Sequence, residues 1–304
     1  MSTEHPPTMD PTAALRWAHS SQGEAPWLHE EVARRMAQRL QWIKLQPQTW
    51  ADWEPLRGGL AAHAAVAQRY PKAACFVVEP NARRVSDAQQ ALRKPWWKTA
   101  RWRGALPLFE APGEADVQMV WANMALHMAA DPQTLISHWH RALAPEGFLM
   151  FSCLGPDTLR ELRDLYQGFG WPPPAHEFTD MHDWGDMLVN AGFAEPVMDM
   201  ERITLTFETG TRLLAELRQL GRNLHPGRFA ALRGRGWRDQ LLQSLAALRA
   251  ARTPPQPLAL TFEVIYGHAL KAQPRCPVQS ETTLSLDQMR SVLRRGKGAP
   301  ASRP

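Results

Sequence analysis

Four groups of residues in this chain of 304 have the types and spacings that chemistry needs. Asn123 and His127 stand just past the apolar run Val117, Met119, Val120, Trp121, and α/β sheets bind ligands at the C-terminal ends of such strands. Gly58 and Gly59 lie in the turn Glu54–Gly59 between a strand-like stretch, Thr49 to Trp53, and an Ala-rich helix, Leu60 to Gln68. Strand, glycine-bearing loop, then helix is the layout that lets backbone groups approach a nucleotide. Glu79 closes the short apolar run Cys75 to Val78, about twenty residues past those glycines, where an acid accepts hydrogen bonds from ribose hydroxyls. Arg218 and Arg222 are four apart on a helix read from Thr211 to Arg222, hence on one face, and suit bidentate grip of a carboxylate or phosphate. Each group also has a plainer reading: an ordinary turn, a solvated acid, helix-surface charges, a structural histidine.

The elements that must position these residues follow from periodicity. Val117–Trp121 and Phe148–Phe151 are near-continuous apolar runs, as expected of strands covered on both faces in a parallel sheet. A helix from Thr134 to Leu143 and a Pro-x-Gly turn join them. Val32, Met36, Leu40 and Ile43 fall three or four apart, one stripe of a helix from His29 to Ile43. Asn81–Leu92 and Asp157–Tyr166 read as further helices. Thr179 or Asp180 caps another that ends near Gly192. Ile203, Leu205 and Phe207 alternate with polar residues, a strand with one face covered. The segment from Leu258 toward Leu270 is a last strand, with two helices between. An α/β sheet, doubly wound and Rossmann-like, with an antiparallel edge and a helical insertion is the architecture these signals predict.

Composition excludes several classes. No apolar run approaches the roughly 18 residues of a membrane span, and the first twenty residues lack a signal-peptide pattern, so the expected location is cytoplasmic. Cys75, Cys153 and Cys276 share no metal-like spacing, and the acids near His176 and His182 are explained by helix capping, so no metal is expected. The net charge of +5 is unevenly placed: Glu201 to Leu260 holds ten arginines, no lysine and four acids. That surface suits an acidic partner or phosphate, or is a solvated helical face. Trp96, Trp97 and Trp102 among basic residues resemble a base-stacking patch, but plugging a sheet edge is the plainer role, and no nucleic-acid partner is expected.

The longer motifs carry a resemblance. VWANMALHM, LAPEGFLMFS, GPDTLREL, MHDWGDMLVNAGFAEPVMDME, ITLTFET, LLAELRQLG and FEVIYGHALK together resemble the malonyl-acyl-carrier-protein O-methyltransferases of biotin synthesis, over roughly Glu31 to Lys271. The resemblance implies a methyltransferase sheet of seven strands, the last antiparallel, over 29–271 with an insertion at about 209–256. It leaves 1–28 as a polar segment and lid, and 272–304 as a tail expected to be disordered. It implies S-adenosylmethionine as cofactor, with Glu79 on the ribose, Asn123 and Met124 on the strand-four side, and Leu106 in the adenine loop. The family's D-x-G-x-G-x-G turn corresponds here to Asp52 through Gly59, with Trp53, Leu56 and Arg57 adding bulk where backbone must come close. Glu54 is placed to take the methionine amino group. Met128 stands where the family commonly has tryptophan.

The implied reaction is in-line displacement at a sulfonium methyl by a malonyl carboxylate, already ionised with a pKa of about 4, so no general base is needed. His127, Arg218 and Arg222 are the expected substrate-side residues, and the arginine-rich insertion the dock for an acyl carrier protein. Two other readings stay open. One is a degenerate methyltransferase fold that binds a carrier protein or other partner without using the cofactor. The other is an RNA methyltransferase, which the absence of an N/D-P-P-Y/F motif after strand four disfavours.

Overall fold

The structure, a computed structural model, describes residues 9–20, 25–93, 106–250 and 257–273. Helix α1 (Pro11–His19) is capped by Asp10, whose carboxylate accepts from the Ala13 N–H at 3.1 Å. Helix α2 (Trp27–Arg39) buries Val32 and Met36, the expected stripe. Then come β1 (Thr49–Trp53), a single-turn α3 (Pro55–Gly58), α4 (Leu60–Arg69), β2 (Ala74–Val78) and α5 (Ala82–Ala91). They are followed by β3 (Val117–Ala122), α6 (Pro132–Ala142), β4 (Leu143–Leu154), α7 (Arg160–Gly168) and α8 (Met181–Asn190). The last elements are β5 (Phe193–Phe207), α9 (Gly210–Leu220), α10 (Arg235–Ala250) and β6 (Leu258–Lys271).

One sheet runs in the order β2-β1-β3-β4-β6-β5. The first four strands are parallel, and β6 lies antiparallel between β4 and β5. Side chains alternate across a strand, so Met119 and Trp121 of β3 enter the core on one face with Val32 and Met36. Val120 and Ala122 enter the core on the other face with Ile136, Trp139 and Trp184. That is the doubly wound arrangement. The Pro-x-Gly turn survives as a bulge: Leu143 pairs with Val117 and Phe148 with Met119, so Ala144–Gly147 loop out between them.

Six of the seven expected strands are found among the described residues. Outside β2 the sheet continues only as a parallel bridge between Phe76 and Leu108. Leu108 donates to Cys75 O at 2.8 Å and accepts from Val77 N–H at 2.7 Å. Pro107 and Pro112 flank it, and proline brings no N–H to a ladder. The tryptophan patch at 96–102, Cys276, and the tail beyond Gln273 lie outside the described residues.

Candidate functional site

Beyond β1 and β3 the backbone turns sharply. Glu54 has a φ of 57° and Met124 a φ of 56°. Left-handed backbone at a residue with a Cβ costs roughly 1–2 kcal/mol, and such strain gathers at functional sites. The segment expected to be an open loop, Glu54–Gly59, is instead wound into α3, because Pro55 is preset for a first helical position and Leu56 and Arg57 find burial.

Arg57 fills the turn. Its guanidinium donates to Trp17 O, to Ser20 O at 3.2 Å and to Ser20 Oγ at 3.1 Å. It lies 4.0 Å from the Trp17 ring centre and 3.7 Å from Glu54 Oε2. Arg84, only 2% exposed, reaches Glu54 Oε2 at 2.8 Å and Glu79 Oε2 at 2.7 Å. The other Glu79 oxygen accepts from Leu56 N–H at 3.1 Å. Burial pushes the Glu79 carboxyl up, to about 8, against the pull of Arg84. Burial, helped by the charge of Arg84, brings Arg57 down to about 10. Both carboxylates expected on the cofactor are thus held by the chain's own cations.

Asn123 is equally engaged. Its amide donates to His29 O at 2.9 Å and to Gly58 O, and its Oδ1 accepts from Ser152 Oγ at 2.6 Å. The two glycines press on protein: a Cβ on Gly58 would lie 3.1 Å from Asn123 O, and one on Gly59, at φ 121°, 2.6 Å from Glu30 Oε2. Asp52 is buried in β1, accepts from His63 Nδ1–H of α4 at 2.8 Å, and borders neither cavity below. Leu106 is 64% exposed and lines neither cavity below. What remains between α1 and the strand ends is a cavity of about 160 Å³, bordered by Trp17, His29, Glu54, Arg57, Asn123 and Met124.

A second cavity, of about 110 Å³, lies under the insertion. Leu154, Leu162, Phe178 and Phe262 make it apolar, and His127, His176 and Arg222 bring polar groups to it. His176 Nε2–H donates to His127 O at 3.0 Å, which leaves Nδ1 as a bare acceptor with no partner among the described residues. Burial holds both imidazoles below their usual range, hence neutral. Met128 and Leu220 border both cavities. Helix α9 stops at Leu220, so Arg222 is past its end and donates back to Arg218 O and to Gly221 O at 2.9 Å. Arg218 therefore does not share a helix face with Arg222, as its spacing suggested; it is exposed and lines neither cavity.

The strand ends thus gather Glu54, Gly58, Gly59, Glu79, Asn123, Met124 and, in the turn after β3, His127, and the insertion adds Arg222. Sequence reasoning missed Trp17, Arg84 and His176. Arg84 had a faint signal, a cation one turn into the helix that follows Glu79 and is capped by Asn81. Trp17 had none, since its partners are distant in sequence, and His176 read only as a candidate metal ligand, not as a wall of the substrate-side cavity. Among the described residues, no three metal-ligating side chains converge, and no helix is long and apolar enough to cross a membrane.

Comparison with known proteins fits this geometry. A family model described as a methyltransferase domain matches residues 57–151. The match begins at Arg57, so β1 and most of the altered turn fall outside it. A Bacillus halodurans protein solved as a candidate methyltransferase superposes with a TM-score of 0.52 at 15% identity, covering 79% of this chain and all of that one. It supports the fold: a class I methyltransferase sheet. Relatives at higher identity are more specific. The malonyl-acyl-carrier-protein O-methyltransferase of Gallionella capsiferriformans is 38% identical over 277 residues, 86% of this chain and 91% of that one. The protein of the same name from Laribacter hongkongensis is 35% identical over 304 residues, 95% and 96% of the two chains. The chain belongs to the malonyl-acyl-carrier-protein O-methyltransferases.

S-adenosylmethionine is the cofactor of this class. The carboxylates of Glu54 and Glu79, expected to accept from it at the ends of β1 and β2, are instead paired with Arg57 and Arg84. A cavity of about 160 Å³ is also smaller than the roughly 300–1,000 Å³ of ordinary small-molecule sites. In this arrangement the residues have the right chemistry and not the room.

Proposed function

We propose that the chain methylates the free carboxylate of a malonyl-acyl-carrier-protein thioester in biotin synthesis, with S-adenosylmethionine supplying the methyl group. The observation that carries this reading is the meeting of two cavities at Met128 and Leu220, one at the strand ends and one under the insertion. Arg222, at the second cavity, is suited to hold an ionised carboxylate through its planar donors. His127 and His176 are neutral and buried. They shape and dry the pocket, and dryness matters because water competes for the carboxylate's lone pairs. Exposed Arg212, Arg218, Arg235 and Arg238 on the insertion provide the field that steers an acidic carrier protein. Transfer of label from methyl-labelled S-adenosylmethionine to malonyl-carrier protein, and rescue of a biotin auxotroph lacking this step, test the proposal. Failure of both with well-expressed protein sinks it.

A second reading rests on Arg57 and Arg84: a chain that satisfies its cofactor acids internally is suited to bind a carrier protein without methylating it. Carrier-protein association without any methyl transfer is the outcome that favours it.

A further inference from the structure

We infer that Arg57 is an intramolecular occupant of the cofactor cleft, an autoinhibitory contact that keeps α1 closed over the strand ends and has to leave before an adenosyl ligand enters. The inference concerns access to the cleft of the methyltransferase site proposed above, and rests on that reading for the identity of the cleft.

The turn after β1 is where backbone has to approach a ligand most closely, and here it is closed from three directions. From the turn itself, the Arg57 guanidinium stands beside Glu54 and holds the C-terminal carbonyl of α1 and both oxygens of Ser20. From α2, Glu30 presses its carboxylate against Gly59, and His29 Nδ1–H donates to Arg57 O at 2.7 Å. From β3, Asn123 occupies the carbonyl of Gly58. Arg57 thus supplies, from within the chain, a positive charge beside the Glu54 acid, where a bound amino acid's ammonium would otherwise stand.

The same contact reaches the second cavity. Trp17 carries Arg57 at 4.0 Å from its ring centre and Arg222 at 5.9 Å. It packs with Ala14, Leu224 and Met128, while Asp10 pairs with Arg228 at 2.7 Å and its N–H donates to Leu224 O at 2.9 Å. Helix α1 is therefore tied to the cofactor turn at one end and to the insertion at the other. A ligand that displaces Arg57 removes the first tie, so cofactor entry and loosening of α1 are one event.

Ligand affinity falls by the fraction of molecules that are open. Calorimetric titration of the full chain with S-adenosylhomocysteine therefore tests the inference. Arg57→Gly is expected to bind about tenfold or more tightly than the parent, and its α1 to be cleaved faster by protease without ligand. Parent affinity equal to or above that of Arg57→Gly overturns the inference, and so does the absence of binding by both. Should Arg57→Gly fail to fold by circular dichroism, Arg57→Ala removes the same guanidinium while keeping a helical residue in α3 and has to show the same gain, or the inference falls. The two readings separate cleanly. Tighter binding by Arg57→Gly with no methyl transfer keeps the closed cleft and removes the activity. Methyl transfer by a parent that binds as tightly as Arg57→Gly does the reverse.

Discussion

The two cavities that meet at Met128 and Leu220 differ in the polar groups they carry. The strand-end cavity has Glu54 and Arg57 on its wall, and these two belong to a charged cluster completed by Glu79 and Arg84. The cavity under the insertion is apolar, and its buried His127 and His176 Nδ1 atoms lack partners among the described residues. The first has its charges paired within the chain, although Trp17 Nε1 and His29 Nε2 on its wall have no hydrogen-bond partner among the described residues, and the second has two unpartnered imidazole nitrogens and no carboxylate. Charges with internal partners are held in place, whereas unpaired polar atoms are poised to take a ligand's donors and acceptors.

The largest test of that contrast is Arg84→Ala. It leaves two acids without their buried cation, and removal of one member of a buried ion pair costs about 3–5 kcal/mol. Urea denaturation would read it, and a loss below about 1 kcal/mol would mean that the cluster is solvated like a surface pair. Asn123→Ala comes next, since it removes bonds to His29 O, Gly58 O and Ser152 Oγ. Buried groups left unsatisfied cost about 1–3 kcal/mol, so the midpoint of thermal melting should fall clearly.

The third test uses pH. Burial lowers His29 from 6.5 to about 4 and lowers His127 and His176 as well, so all three are neutral in the fold. Their unfolded forms take up protons from about pH 6.5 downward. The stability tied to them is thus present above pH 6.5 and is lost as pH falls toward 4. His29→Gln should flatten part of that decline in a series of denaturation curves; an unchanged slope would move the effect to other groups. The smallest expected effect is on the outer surface. Arg212→Glu with Arg218→Glu should weaken carrier-protein binding by up to about tenfold, or roughly 1.4 kcal/mol, at low salt. The difference should shrink as salt is raised, and equal binding by parent and variant would remove the insertion as the dock.

Much of this scaffold is legible in the sequence because its signals are local. The apolar runs of β2 and β3 mark strands within a residue or so of their ends, since strands covered on both faces need continuous apolar stretches. Asp180 caps α8 as its position suggests, accepting from His182 N–H at 2.8 Å. The glycine turn was only half legible. Bulk at Leu56 and Arg57 can be seen in the sequence, but not where that bulk goes. Arg222 was misplaced because a spacing of four implies a shared face only while the helix continues, and α9 ends first. Among the described residues the sheet beyond β2 holds a bridge at Leu108, next to Pro107, which brings no donor to a ladder.

The sequence by itself determined the order of elements, the parallel core, the family and the acids at the ends of β1 and β2, because periodicity, caps and motifs act over a few residues. Only the tertiary structure decided that Glu54 and Glu79 meet Arg84, that Arg57 reaches Trp17, and that Asn123 takes the carbonyl of Gly58. Those contacts join segments tens of residues apart. Whether such charges pair with the chain or await a ligand depends on which of them folding brings within about 4 Å.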